Sequence, residues 1–166
     1  MIAYIDESKA KNYLLVMNLV LPGEQTYLRR ALSAQLLAGQ RSFHFTKESN
    51  RRRTQLVRHL LGLNFRVVVF SIKGVSNTES RKSLIVEACK NIRKFEISNL
   101  VFELDQSCYQ NDMKLLNEIR PKVSWDHRER HQEPLLWVAD AVAWCVNRGG
   151  EWERMVRPMI VQTIHC

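Results

Sequence analysis

Leu135-Leu136-Trp137-Val138-Ala139-Asp140-Ala141-Val142-Ala143-Trp144-Cys145-Val146 is an apolar run with one carboxylate at its centre. Pro134 precedes it, where a first helical turn tolerates proline, and Gly149-Gly150 follows, so a helix is predicted over 133–147. A helix this apolar must pack on other elements, and it takes Asp140 in with it. A buried carboxylate is costly unless a charge pairs with it. A salt bridge to an arginine would meet that need. So would a site shared with other acids around a divalent metal.

Other apolar runs deliver acids too. Ile2-Ala3-Tyr4-Ile5 ends in Asp6, and Leu100-Val101-Phe102 leads to Glu103-Leu104-Asp105. Both read as strands, over 1–7 and 100–105. Side chains alternate along a strand, so Asp6 shares a face with Tyr4 and Ile2, and Glu103 shares one with Asp105. Asp105 also reads as a turn residue. If the two strands are neighbours, their acids stand beside each other, and Asp140 reaches them from the helix. Such carboxylates repel and rise in pKa without a cation; magnesium or manganese removes that penalty. A two-metal site activates water and stabilises the leaving oxygen of a phosphodiester. The plainer alternative for the strand-end acids is solvation.

The segments between order these elements. Residues 13–21 read as a second strand, joined to the first by a short polar hairpin at 8–12. Leu28, Leu32 and Leu36 recur at helical spacing within 24–38. Ser42 to Phe45 is expected as a short strand. Thr46 or Ser49 is placed to cap a helix running to about Leu61, with Gly62 at its end. The β-branched run within 65–73 predicts an interior strand. Asn77 or Thr78 is placed to cap a long helix with Leu84, Ile85, Ala88, Cys89, Ile92 and Phe95 on one face. Residues 111–119 read as a short helix broken by Pro121, 123–127 as extended, and 159–164 as an edge strand. A hairpin followed by alternating helices and strands is an α/β domain with a mixed sheet.

The chain has 166 residues and 45% hydrophobic content, enough for one domain with a real core. No apolar stretch is long enough for a membrane span, and no signal peptide is read, so a cytoplasmic location is expected. The four cysteines show no Cys-x-x-Cys spacing, which excludes zinc-ribbon and thioredoxin-like motifs. The net charge is +8. A basic surface around an acidic cluster suits a nucleic-acid partner.

Further features surround the acids. His44 alternates with Phe43 and Phe45 and reads as a proton shuttle, a metal ligand, a substrate contact or a plain surface histidine. Glu48 reads as another site acid or as a favourable charge at a helix N-terminus. Arg51-Arg52-Arg53, with Lys47 and Arg58, reads as a phosphate-holding block or a solvated face. Asp126-His127-Arg128-Glu129-Arg130-His131 is expected as a loop near the site, and Glu133 as a residue supporting it. Trp125, Trp137, Trp144 and Trp152 read as base-stacking, core or interface groups. Exposed tryptophans near 137–152 would allow a homodimer.

The motifs Tyr4-Ile5-Asp6-Glu7-Ser8, Phe43-His44-Phe45, Leu100-Val101-Phe102-Glu103 and Glu133-Pro134-Leu135-Leu136-Trp137-Val138-Ala139-Asp140-Ala141-Val142-Ala143 resemble those of the family called domain of unknown function 3800. Lys9 stands where that family usually has glycine. The resemblance covers nearly the whole chain. It implies one ribonuclease H-like domain over 1–166: a mixed sheet, antiparallel in its first strands and then parallel, flanked by helices. It also implies metal-dependent phosphodiester chemistry, with Asp6, Glu103 and Asp140 as metal-binding acids and Asp112 as a further ligand. The expected activity is a magnesium- or manganese-dependent nuclease, with His44 and Glu48 assisting. The rival is a non-catalytic module that binds nucleic acid or protein on the same scaffold. A phosphotransferase or strand-transfer enzyme is a further rival.

Overall fold

The computed structural model describes residues 1–74 and 78–166. Strand β1 (Ile2–Lys9) and strand β2 (Asn12–Val20) form an antiparallel hairpin. Helix α1 (Gln25–Ser33) and helix α2 (Asn50–Gly62) follow, then strand β3 (Arg66–Lys73), antiparallel to β2. Helix α3 (Thr78–Lys90) leads to strand β4 (Asn99–Glu103), which lies parallel to β1. Helix α4 (Tyr109–Ile119) leads to strand β5 (Ser124–Arg128), parallel to β4. Helix α5 (Leu135–Arg148), helix α6 (Gly150–Val156) and strand β6 (Ile160–His165) complete the chain, with β6 parallel to β3. The six-stranded order is β5-β4-β1-β2-β3-β6.

The sheet has a core on each face, and strand alternation sorts residues between them. Tyr4, Leu14, Val16, Val67, Val69 and Val101 face α1, α2, α5 and α6. Ala3, Ile5, Leu15, Met17, Val68 and Phe102 face α3 and α4. Residues 3–5 of β1 and 13–20 of β2 are buried on both sides because helices cover both faces, which explains their mainly apolar composition. Among the described residues, no helix is long and apolar enough to cross a membrane.

Helix α5 lies against β1 and β2 and is fastened at both ends. Near its start, Asn18 Nδ2 donates to the Leu135 carbonyl at 3.0 Å. Near its end, Asn147 Nδ2 donates to Ser8 Oγ at 2.8 Å and to the Asn12 carbonyl at 3.1 Å. Asn147 Oδ1 accepts from the Asn12 N–H at 3.0 Å. These bonds tie the helix that carries Asp140 to the hairpin that carries Asp6.

Several local expectations need correction. Ser42 to Phe45 is not a strand: His44 is extended, and Phe45–Lys47 forms a single 3-10 turn. Phe43 and Phe45 are both fully buried, so each reaches the core without a neighbouring strand. α1 stops at Ser33, and Leu36 packs on the core from the turn beyond. α3 stops at Lys90, and Ile92 and Phe95 reach the core from the turn that follows. Ser49 rather than Thr46 caps α2, accepting from the Arg52 N–H at 3.1 Å. Gly62 is the last residue of α2, as expected, and Asn64 beyond it takes the left-handed conformation. Asn77, the other expected cap of α3, lies outside the described residues. β4 ends at Glu103, leaving Asp105 in a turn where Oδ1 accepts from the Ser107 N–H at 2.9 Å. Residues 126–128 belong to β5 rather than to a loop; Arg130–Gln132 forms a 3-10 turn.

Candidate active site of three carboxylates and an arginine

Asp6, Glu103 and Asp140 meet at the carboxyl ends of β1 and β4. The parallel register pairs Tyr4 with Val101 and Ile5 with Phe102, so one step further sets Asp6 beside Glu103. Both point to the face that α5 covers, and α5 delivers Asp140 from above. Asp6 is 7% exposed and Asp140 6%. That much burial makes mutual repulsion strong, so something must compensate.

The compensating group is Arg130, from the turn after β5. Its Nη2 lies 2.8 Å from Glu103 Oε2 and 3.3 Å from Asp6 Oδ2, and its Nη1 lies 3.3 Å from Asp140 Oδ2. One guanidinium therefore touches all three acids. Trp137 Nε1 donates to the Arg130 carbonyl at 2.7 Å and holds the turn in place. Beside it, buried Glu133 takes Arg29 through a two-pronged ion pair at 3.0 and 2.8 Å and accepts from Arg128 Nη1 at 2.9 Å. Glu133 thus fixes the segment from which Arg130 extends.

Asp140 is the best satisfied of the acids. His44 Nδ1 lies 3.0 Å from its Oδ1, and the Phe45 N–H donates to its Oδ2 at 2.8 Å. Burial alone would raise the Asp140 pKa, but His44, Arg130 and the Phe45 N–H outweigh it and hold the group below the ordinary range. Asp6 goes the other way. Burial first, then the Glu103 and Asp140 charges, hold it well above the usual carboxylate range against the pull of Arg130. The two aspartates face the same charges with different hydrogen bonds, which explains the opposite shifts.

A divalent metal suits this chemistry. Three carboxylates share one guanidinium, so when all three are ionised the cluster carries more negative charge than Arg130 offsets. An all-oxygen donor set is what magnesium or manganese takes. A cleft of about 410 Å³ touches Asp6 and Glu103 but is lined mainly by residues of the other face, Ile5, Glu7, Arg81 and Phe102 among them, and not by Asp140 or Arg130.

The structure does not bring every expected residue here. Asp112 lies across the sheet, where Arg81 Nε and Nη2 bind it at 2.8 and 2.6 Å and His127 Nε2 lies 3.6 Å away. Burial would raise its pKa, but Arg81 and His127 lower it. Glu7 points to that second face as well and pairs with Arg81 and Tyr13. Glu48 accepts from Gln40 Nε2 at 2.7 Å. Among the described residues, Glu7, Asp105 and Cys108 offer ligand atoms within 4.8 Å of one another, whereas the three acids around Arg130 are spaced more widely. Lys9 Nζ bridges Glu7 and Asp105 at 2.7 and 3.6 Å, which makes that group an ion-pair cluster.

The basic block divides. Arg53 donates to the Phe45 and Thr46 carbonyls at 2.6 and 3.1 Å and stacks on Trp144 at 4.2 Å. Arg52 binds the Gln35 carbonyl. Arg53 buttresses the segment that carries His44, Arg52 ties α2 to the turn after α1, and Lys47, Arg51 and Arg58 stay exposed. Trp137 is buried, and Trp144 packs edge-on to Trp152. Arg130 is the residue the sequence reading missed. It stood in a segment expected near the site, but nothing marked it among its charged neighbours Asp126, Arg128 and Glu129.

This topology is that of a ribonuclease H-like fold, with the acids at the place where its strand order reverses around β1. A solved structure described as the PCNA:RNase HII complex from Archaeoglobus fulgidus has a chain with this fold. The two superpose with a TM-score of 0.56 at 17% identity, over 94% of this chain and 75% of the other. No protein-family model and no curated protein matches the sequence.

Proposed function

We propose that the protein is a metal-dependent nuclease that hydrolyses nucleic-acid phosphodiester bonds. The observation that carries this reading is the convergence of Asp6, Glu103 and Asp140, from three separate elements, on one point of a ribonuclease H-like sheet. Their motifs are also those that resemble the domain of unknown function 3800 family. Asp6, Glu103 and Asp140 would hold magnesium or manganese. The bound ion supplies a lowered pKa for water and stabilisation of the leaving oxygen.

The chain's own groups then have definite tasks. The Phe45 N–H and His44 orient Asp140, leaving it ionised. With Nδ1 turned to Asp140, His44 leaves Nε2 as the ring atom that would face a substrate and exchange a proton with it. Exposed Lys47 and Arg51, near the His44 segment, would contact the polyanion. Asp112 and Glu48, read at first as site acids, serve in this reading as structural groups.

Labelled single- and double-stranded DNA, RNA and hybrid, each with magnesium, manganese or EDTA, test the proposal. Cleavage that needs metal is expected, and Asp140→Asn should lower its rate by at least about 10²-fold, the scale of losing a principal electrostatic group. Full activity in Asp140→Asn would sink the assignment. A non-catalytic binding module is the second reading, favoured by Arg130 already neutralising part of the cluster. Metal-independent, salt-sensitive binding without cleavage would support it.

A further inference from the structure

We propose that Arg130 and a divalent cation are alternative occupants of the Asp6–Glu103–Asp140 site, so that metal loads only as the guanidinium swings out. The inference rests on the metal-dependent reading above and adds a built-in competitor to it.

The guanidinium stands where an ion would have to go, within 3.3 Å of all three carboxylates. Asp6 and Glu103 share its Nη2, and Asp140 takes its Nη1. Magnesium needs oxygens about 2.1 Å away, so the acids must close in as the arginine leaves. Two cations cannot share that space without direct repulsion. The arm is also built to move while its base stays fixed. Trp137 holds the Arg130 carbonyl, and Glu133 holds Arg29 and Arg128 beside it. The side chain retains 18% exposure, which leaves it a way to solvent. Its Nη1 is buried within the cluster with an ion-pair contact but no well-directed hydrogen bond. Arg81 offers the contrast: both of its nitrogens that face Asp112 make good hydrogen bonds to it, at 2.8 and 2.6 Å.

Titration of the full chain with Mn²⁺, followed by the EPR signal of the free ion, tests this without reference to activity. Arg130→Gln should bind Mn²⁺ about tenfold more tightly than wild type, within the usual span of coupled binding. Arg130→Lys keeps the charge but replaces the fork with one ammonium, and should bind about threefold more tightly. Lys47→Gln removes an equal charge from the exposed surface and should shift affinity by less than about twofold. In wild type, Mg²⁺ should move the Arg130 Nε–H resonance, assigned by its loss in Arg130→Gln, toward that of free arginine. If wild type binds Mn²⁺ and both Arg130 variants bind it equally or more weakly, the competition is overturned while the metal site stands. If neither wild type nor Arg130→Gln binds Mn²⁺, both fail. Circular dichroism checks the fold, and Arg130→Lys carries the test should Arg130→Gln not fold.

Discussion

Asp6 and Asp140 show how two identical side chains in one cluster acquire opposite characters. Asp140 has a histidine and a backbone N–H on its oxygens, whereas Asp6 has the Glu7 N–H at 2.7 Å and otherwise the shared arginine. Folded Asp6 holds its proton more tightly than the unfolded chain does. The stability this provides is present below the ordinary carboxylate range and is lost as pH rises through the folded pKa. Without metal, Asp6→Asn should therefore raise the melting temperature at pH 8, and the gain should shrink toward pH 4. A shift of about 3 °C would correspond to roughly 1 kcal/mol for a chain this size. Thermal melts in EDTA across that pH range measure it, and a lower melting temperature at pH 8 would contradict the raised pKa. Asp6 and Asp140 were legible as candidate site acids because each interrupts or ends an apolar run, and the fold brings both to Arg130. Arg130 was not, since an arginine in a charged segment looks like any solvated one.

At the scale of elements, the site depends on the docking of α5 against the first hairpin. Asn147 makes three hydrogen bonds across that contact and is 9% exposed. Asn147→Ala should cost about 1–3 kcal/mol, because the Asn12 N–H and carbonyl are left without their partner. Urea denaturation would measure this, and a change below about 0.5 kcal/mol would show that water replaces the amide. α5 itself was readable from its apolar run, its proline and its glycines. The segment 42–45 was misread because alternation of Phe43, His44 and Phe45 mimics a strand. In the fold, two buried rings and a 3-10 turn produce the same pattern, and period alone cannot separate them.

For the whole molecule, under the proposed nuclease reading, the basic surface, at a net charge of +8, attracts a polyanion and the acidic cluster carries the chemistry. Nucleic-acid binding should weaken with salt, and Lys47→Gln or Arg51→Gln should each reduce the slope of log K against log salt by up to about 1. Arg53→Gln should instead lower thermal stability, since that side chain buttresses Phe45 and Trp144. Fluorescence anisotropy over a salt series distinguishes these outcomes, and an unchanged slope in the Lys47 and Arg51 variants would place the contact surface elsewhere.

Sequence alone determined the mixed α/β class, the burial of the 135–146 helix and the pairing of acids with apolar elements, because hydrophobic period and chain breakers act locally. The parallel place of the last strand beside β3 depended on long-range packing. So did the positions of Asp112 and Glu7 across the sheet, since strand parity names a face but not the charge waiting there. Arg81 draws those two acids to one side, and Arg130 gathers Asp6, Glu103 and Asp140 on the other. Tertiary structure made that division because each buried carboxylate needed a cation, and only the folded chain brought one within reach.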